Sequence, residues 1–256
     1  GIIGAAGLSG RELLYLLESH DEASVELLTS SKYQGKKVND VFPELTGYNQ
    51  VFRQNDIDVT GCDLVFLAIP NQASLERVPN LLEQGVRVID LSGAFRLRDK
   101  EVFSKFYKLS HSAPELLEEA VFGLPEYFKS EITTARLVAN PGCYPTASLL
   151  ALLPFVDYIQ EGTPIFIDAK SGVSGAGKKL SEVAHFVNLN ENTHAYNPFK
   201  HRHMPEIEEK IKLVKNKEFQ INFVPHLIPV TRGMLVSVYA TLKDEIDVEK
   251  ILEDTY

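Results

Sequence analysis

Gly1-Ile-Ile-Gly-Ala-Ala-Gly-Leu-Ser-Gly10, running straight into Arg11-Glu-Leu-Leu-Tyr-Leu-Leu-Glu18, decides the fold of this chain. A short apolar run, a turn spaced Gly-x-x-Gly-x-x-Gly and then leucines at helical spacing read as strand, turn and helix. Glycines at such a turn allow the backbone to approach a ligand closely. A pyrophosphate can then take the first N–H groups and the positive dipole end of the helix. Gly4, Gly7, Leu8, Ser9 and Gly10 are the expected cofactor contacts. The spacing is not the commoner Gly-x-Gly-x-x-Gly, and glycine turns also arise for steric reasons alone, so the surrounding pattern has to decide.

Outward from that turn the pattern repeats. Val25–Thr29, Asp63–Ala68 and Val86–Leu91 read as strands, with a helix near Gln72–Gln84. Strands separated by helices imply βαβ crossovers and a parallel sheet. After the second strand an NAD site usually has an acidic residue for the ribose hydroxyl; here Thr29 is followed by Ser30, Ser31 and Lys32, groups suited to a 2′-phosphate or to a solvated turn. This favours NADPH. Leu137-Val-Ala139 reads as a further strand leading through Asn140-Pro-Gly-Cys-Tyr-Pro-Thr146 into a helix. Beyond about residue 155 the runs Pro164–Ala169, Gln220–Val224 and Leu235–Thr241 alternate in the manner of half-buried antiparallel strands. The expected architecture is therefore α/β: a Rossmann-type parallel-sheet domain over residues 1–142, then an α+β catalytic domain over 143–256 with a mixed or antiparallel sheet.

The chain has 256 residues, 26 Lys+Arg against 35 Asp+Glu, and a formal charge of −9. That balance, with no basic block, argues against a sequence-independent grip on nucleic acid or anionic membrane. Two cysteines, Cys62 and Cys143, are too few for a disulfide scaffold, and no apolar run approaches a membrane span. A reducing cytoplasmic location is expected. Position 1 already lies inside an apolar stretch and Asp247–Tyr256 reads as a helix beginning, so both ends read as cut edges of a longer protein.

Cys143 is the sharpest candidate, because a helix N-terminus after Pro141-Gly142 lowers a thiol's pKa and presents the thiolate. Cys62, just before an apolar strand, reads as packing. A nucleophilic thiol needs a proton shuttle, and Lys200-His-Arg-His-Met-Pro-Glu-Ile207 offers His201 and His203. His-x-His alone is weak evidence of zinc, and supporting ligands are missing, so no metal is expected. Asp168–Lys178 is a second glycine-rich loop able to hold a small anion or to serve as a linker. Arg96, just past a parallel strand, could fork onto a phosphate or carboxylate, or form a surface ion pair.

In this order the segments Gly1–Gly10, Phe66–Asn71, Asp90–Asp99, Phe122–Glu126, Asn140–Thr146, Ser171–Gly177, His201–Ile207 and His226–Gly233 resemble the N-acetyl-γ-glutamyl-phosphate reductase family, relatives of aspartate-semialdehyde dehydrogenase. The resemblance implies that Cys143 attacks an acyl phosphate and forms a thioester, which NADPH reduces to a semialdehyde with phosphate released. It implies that one of His201 and His203 moves the proton while the other positions substrate, with His203 our choice for the proton, and that Ser171, Gly172, Ser174 and Gly175 line the cofactor and thioester pocket. Arg96 would bind phosphate, with Asn140, Arg202 and Glu206 also at the substrate. Family members start a few residues earlier and continue past Tyr256 into a segment returning to the nucleotide domain. A homodimer or homotetramer is implied. Rival expectations are reduction of aspartyl phosphate or of a carrier-bound amino-adipyl phosphate, and a non-catalytic nucleotide sensor on the same fold.

Overall fold

The computed structural model describes residues 1–178, 182 and 184–256. The glycine turn joins β1 (Ile2–Ile3) to α1 (Leu8–Glu18). After a single-turn α2 (Val38–Val41) come β2 (Leu64–Leu67), α3 (Asn71–Glu83), β3 (Arg87–Asp90), α4 (Lys100–Tyr107), α5 (Leu116–Glu119), β4 (Val121–Phe122), α6 (Pro125–Thr134) and β5 (Leu137–Ala139). The five strands form one wholly parallel sheet in the order β1-β2-β3-β5-β4. The helices supply the crossovers that parallel pairing requires. In α3 the buried residues Ser74, Leu75, Val78, Leu81 and Leu82 recur at three- and four-residue steps, an apolar stripe that packs on the sheet's β3 side.

One expected strand is much reduced. Val25–Thr29 makes only two bridges, Leu28 to Ile2 and Thr29 to Arg53. It still docks on β1, since Ile2 N donates to Leu27 O (2.8 Å) and Thr29 N to Ile2 O (3.0 Å). With two residues in β1 there is little ladder for a neighbour to extend.

The remainder continues with α7 (Cys143–Leu152), β6 (Ile165–Ser171), α8 (Phe186–Leu189), β7 (His194–Ala195), α9 (Met204–Lys215), β8 (Ile221–Leu227), β9 (Met234–Tyr239) and α10 (Val248–Thr255). Its four-stranded sheet has the order β7-β8-β6-β9. The sheet is mixed, as the expectation of a mixed or antiparallel sheet allowed: β6 and β8 pair in parallel from Ile165↔Ile221 to Ser171↔Leu227. The long connection between them carries α9 and returns the chain to its starting edge, as a parallel pair demands. The outer pairs, β6–β9 and β7–β8, are antiparallel. By contacts the chain divides into Gly1–Phe103 with Leu109–Asn140, and Ser104–Lys108 with Pro141–Tyr256. Among the described residues no helix is long and apolar enough to cross a membrane.

Candidate active site

Cys143 is the first residue of α7 and is exposed, with Gly142 as the N-cap in an extended conformation (φ −64°, ψ 153°) and no capping side chain. Pro145 sits in the first turn, where its missing N–H costs the helix nothing. Thr146 ties the turn closed: its N–H and its hydroxyl both donate to Gly142 O, each at 3.0 Å. Only glycine fits at 142, because a Cβ there would lie 2.5 Å from His203 Nε2. The His203 imidazole thus packs directly on the residue before the thiol. From the other side Gly142 N donates 2.8 Å to Glu206 Oε1. Glu206 is 0% exposed, in the first turn of α9. A carboxylate suits that helix end, and a hydrogen bond to a charged acceptor fixes the cysteine turn. The expectation that Glu206 touches substrate is therefore corrected: buried against Gly142, it positions the turn.

His201 and His203 lie just before α9, with ring centroids 4.7 Å apart. His203 N donates to His201 Nδ1 at 3.1 Å, so a neutral His201 carries its proton on Nε2. The ring is walled by Tyr144, Tyr196 and Phe223 at 5.3 to 5.6 Å between centroids of neighbouring rings. Burial, aided by the Arg202 charge, pushes its pKa down to about 4. His201 is thus a buried, neutral ring near pH 7, whereas the His203 ring lies against Gly142. Arg202 between them is exposed and lies over the Tyr107 ring, 5.6 Å from guanidinium carbon to centroid.

The His201 shift has a stability consequence. Its folded pKa lies below the unfolded value of 6.5, so above pH 6.5 both states hold it neutral. As pH falls from 6.5 toward 4, the unfolded chain takes up a proton that the folded ring refuses, and up to about 3 kcal/mol is lost across that window. Urea unfolding at pH 7 and pH 4.5 is expected to show this loss in the wild type and a flatter profile in His201→Asn. An equal loss in both proteins would remove His201 as the cause.

The nucleotide-side residues meet mixed outcomes. Gly4 has φ +86° and its Cβ would collide with Ala68 O at 2.4 Å; at Gly10 a Cβ would lie 2.6 Å from Ala5 Cα. Both glycines are thus required by the turn's own packing. Gly7 caps α1, where no side-chain cap and no acidic first-turn residue intervenes, so the helix start with Leu8 and Ser9 suits an anionic pyrophosphate. Ser30 is buried and its hydroxyl accepts from Tyr33 N at 3.2 Å, while Ser31 accepts from Asn55 Nδ2 at 2.9 Å. Lys32 is exposed, 5.1 Å from the Tyr33 ring centroid. Only Ser31 and Lys32 of this group lie open to solvent.

Hydrogen bonds engage two more of the expected groups. Arg96 is 7% exposed, and its Nε and Nη2 donate to the carbonyls of Asn140 (2.7 Å) and Leu91 (2.9 Å). Those two bonds tie Arg96 to the end of β5, and Asn140 N completes that corner on Asp90 O at 2.9 Å. The glycine-rich loop after β6 is not an amide nest. Gly172, Val173 and Ser174 donate to Gly233, Val230 and Thr231 carbonyls at 2.9 to 3.0 Å, and Gly175 and Gly177 donate within the loop. Ser171 is buried, and its hydroxyl donates to Gly172 O. What this loop still offers a ligand is the Ser174 side chain and the exposed backbone at Gly175.

The sequence reading missed Tyr144 and Tyr196. Tyr196 OH donates 3.1 Å to Tyr144 OH, which donates 3.3 Å to His226 O. Their places beside Cys143 and five residues before His201 were the available signal.

A strand–glycine turn–helix nucleotide unit followed by a cysteine-bearing second unit defines the semialdehyde dehydrogenase class. Residues 1–135 match the family described as semialdehyde dehydrogenase, NAD binding domain, and residues 143–256 match semialdehyde dehydrogenase, dimerisation domain. Within that class the chain belongs to the N-acetyl-gamma-glutamyl-phosphate reductase family. It is 47% identical to the N-acetyl-gamma-glutamyl-phosphate reductase of Sulfurovum sp. (strain NBC37-1), over 100% of this chain and 76% of that protein. The Methanococcus maripaludis (strain C5) protein of the same name is 44% identical, with the same coverage. Among solved structures, aspartate semialdehyde dehydrogenase II from Vibrio cholerae superposes with a TM-score of 0.74 at 19% identity, over 99% of this chain and 78% of that one.

Proposed function

We propose that the chain reduces N-acetyl-L-glutamyl 5-phosphate to N-acetyl-L-glutamate 5-semialdehyde with NADPH and release of phosphate, in arginine biosynthesis. The observation that carries this reading is the exposed thiol at the start of α7, with the His203 ring against Gly142 and the Glu206 carboxylate on the Gly142 amide. It stands in a chain 42 to 47% identical over its whole length to proteins of that name.

Cys143 attacks the acyl carbon as thiolate; a C–S bond forms, the C–O bond to phosphate breaks, and a thioester results. An acyl phosphate is a good electrophile, so this route avoids hydride attack on a resonance-stabilised carboxyl. The Gly142 amide is committed to Glu206, and the positive dipole end of α7 favours the developing oxyanion beside Cys143. NADPH, when bound, supplies the hydride. His203 gives a proton to the oxyanion that hydride addition leaves, and takes it back as the hemithioacetal collapses, its C=O forming and its C–S bond breaking to free the semialdehyde and the Cys143 thiolate. His201 stays neutral and holds the His203 amide. The α1 start takes the pyrophosphate, and Ser31 and Lys32, with no acidic residue beside them, favour the 2′-phosphate form.

A second copy of the chain covers the open face of the β9-β6-β8 sheet. Phe166, Tyr239 and Leu235 share that face by register and are 50, 59 and 59% exposed. These residues lie in the segment matching a dimerisation domain. Apolar side chains clustered on one sheet face are what an interface core needs.

Phosphate-dependent reduction of NADP⁺ is the test, with N-acetyl-glutamate semialdehyde and aspartate semialdehyde side by side and sedimentation velocity on the same preparation. A preference of about a hundredfold or more for the acetylated aldehyde, by a dimer or larger species, is expected. Equal rates would reassign the substrate, and a monomer would remove the interface.

A further inference from the structure

The unabsorbed feature of the second unit is the direction of its tyrosine chain. Tyr144 is 2% exposed and its hydroxyl proton goes to His226 O, a group that can only accept. The oxygen of Tyr144 must then accept across the 3.1 Å contact, so the Tyr196 proton is committed to it. Toward anything else, the Tyr196 oxygen can only accept.

That oxygen is in the right neighbourhood to meet substrate. Tyr196 is half-buried, and its partner Tyr144 is the residue after the nucleophile. Its ring meets His201 at 5.5 Å, the residue before Arg202. The Cys143 and Arg202 charges both act on its hydroxyl, although burial is the main cause of its raised pKa. On the reading above the substrate's acyl carbon lies at Cys143, and the exposed Arg202 cation is the complement to its α-carboxylate. Between these two the molecule carries its α-nitrogen.

We propose that the Tyr196 hydroxyl oxygen accepts the amide N–H of an N-acylated amino-acid substrate, and so selects for it. The inference rests on the proposed substrate class. An acetylated nitrogen brings one N–H and no charge, which suits a neutral acceptor beside a cation. A free ammonium would place a second positive charge near Arg202. Tyr144 is a positioning residue here, since it turns Tyr196 into an acceptor.

The test is a residue-by-ligand cycle on the full chain, using NADP⁺, phosphate and two aldehydes: N-acetyl-glutamate semialdehyde and 5-oxopentanoate, which lacks the nitrogen. Tyr196→Phe is expected to raise KM for the acetylated aldehyde about five- to tenfold, the loss of one neutral hydrogen bond, with kcat nearly kept and 5-oxopentanoate kinetics unchanged. Tyr144→Phe, which frees the Tyr196 proton to donate, is expected to narrow the same preference. Equal losses on both aldehydes in Tyr196→Phe, or no loss on either, would overturn the proposal. Wild-type inactivity on the acetylated aldehyde would instead overturn the substrate assignment beneath it.

Discussion

Alanine in place of Cys143 is expected to lower phosphate-dependent NADP⁺ reduction by at least about 10⁴-fold, because the covalent route disappears rather than weakens. On the proposed route Cys143 makes the bond that displaces phosphate, and the other cysteine of the sequence is Cys62. Cys62 lies before β2, and its sulfur is 3.2 Å from where a Gly1 Cβ would stand, in a packing position in the first unit. Serine at 143 is expected to recover little, since a hydroxyl near neutral pH is far less ionised than a thiol at a helix N-terminus. The check is kcat in the reverse assay, paired with a thiol-alkylation time course on the wild type with and without the acetylated aldehyde. Protection of one reactive thiol, together with loss of turnover in Cys143→Ala, is the expected pattern. An alanine variant within tenfold of wild type would remove the thioester from the mechanism.

How far the chain could be read without coordinates follows from how local each signal was. Strand, Pro-Gly and cysteine at a helix start are consecutive, so the turn that carries Cys143 was legible, as was the glycine turn after β1. Partners distant in sequence were not. Glu206 meets Gly142 across 64 positions, so its carboxylate direction could not be read from a histidine-rich motif that elsewhere suggests substrate contact. The loop after β6 looked like an anion nest because its amides were counted without the Val230–Gly233 carbonyls that receive them. The bond from Arg96 to Asn140 O, 44 positions away, was equally invisible in the local sequence. The sequence left the second sheet as mixed or antiparallel because strand alternation reports which faces are buried, while strand direction depends on where a crossover helix returns the chain. The acceptor role of Tyr196 depends on a hydroxyl 52 positions earlier.

Glu206 yields the second large effect, through geometry rather than contact with the reacting atoms. Its carboxylate accepts the Gly142 N–H inside the fold, and truncation to alanine leaves that amide buried without this acceptor and the thiol-bearing turn without its anchor. Losing a hydrogen bond to a buried charge costs about 1.5–3 kcal/mol. Glu206→Ala is therefore expected to lower kcat by roughly ten- to a hundredfold if most of that energy holds the turn in its reactive shape. Glu206→Gln keeps an acceptor oxygen at nearly the same place and is expected to stay within about tenfold of wild type, a rescue that a purely volume-filling role would not produce. KM for the aldehyde is expected to move little in either variant, because no substrate atom reaches a fully buried carboxylate. The readout that separates positioning from general loosening is the pH dependence of Cys143 alkylation, which should shift in the alanine variant and not in the glutamine one. If both variants keep wild-type kcat and the same alkylation profile, the Gly142–Glu206 contact does not govern the nucleophile, and the helix start alone must be enough to hold it.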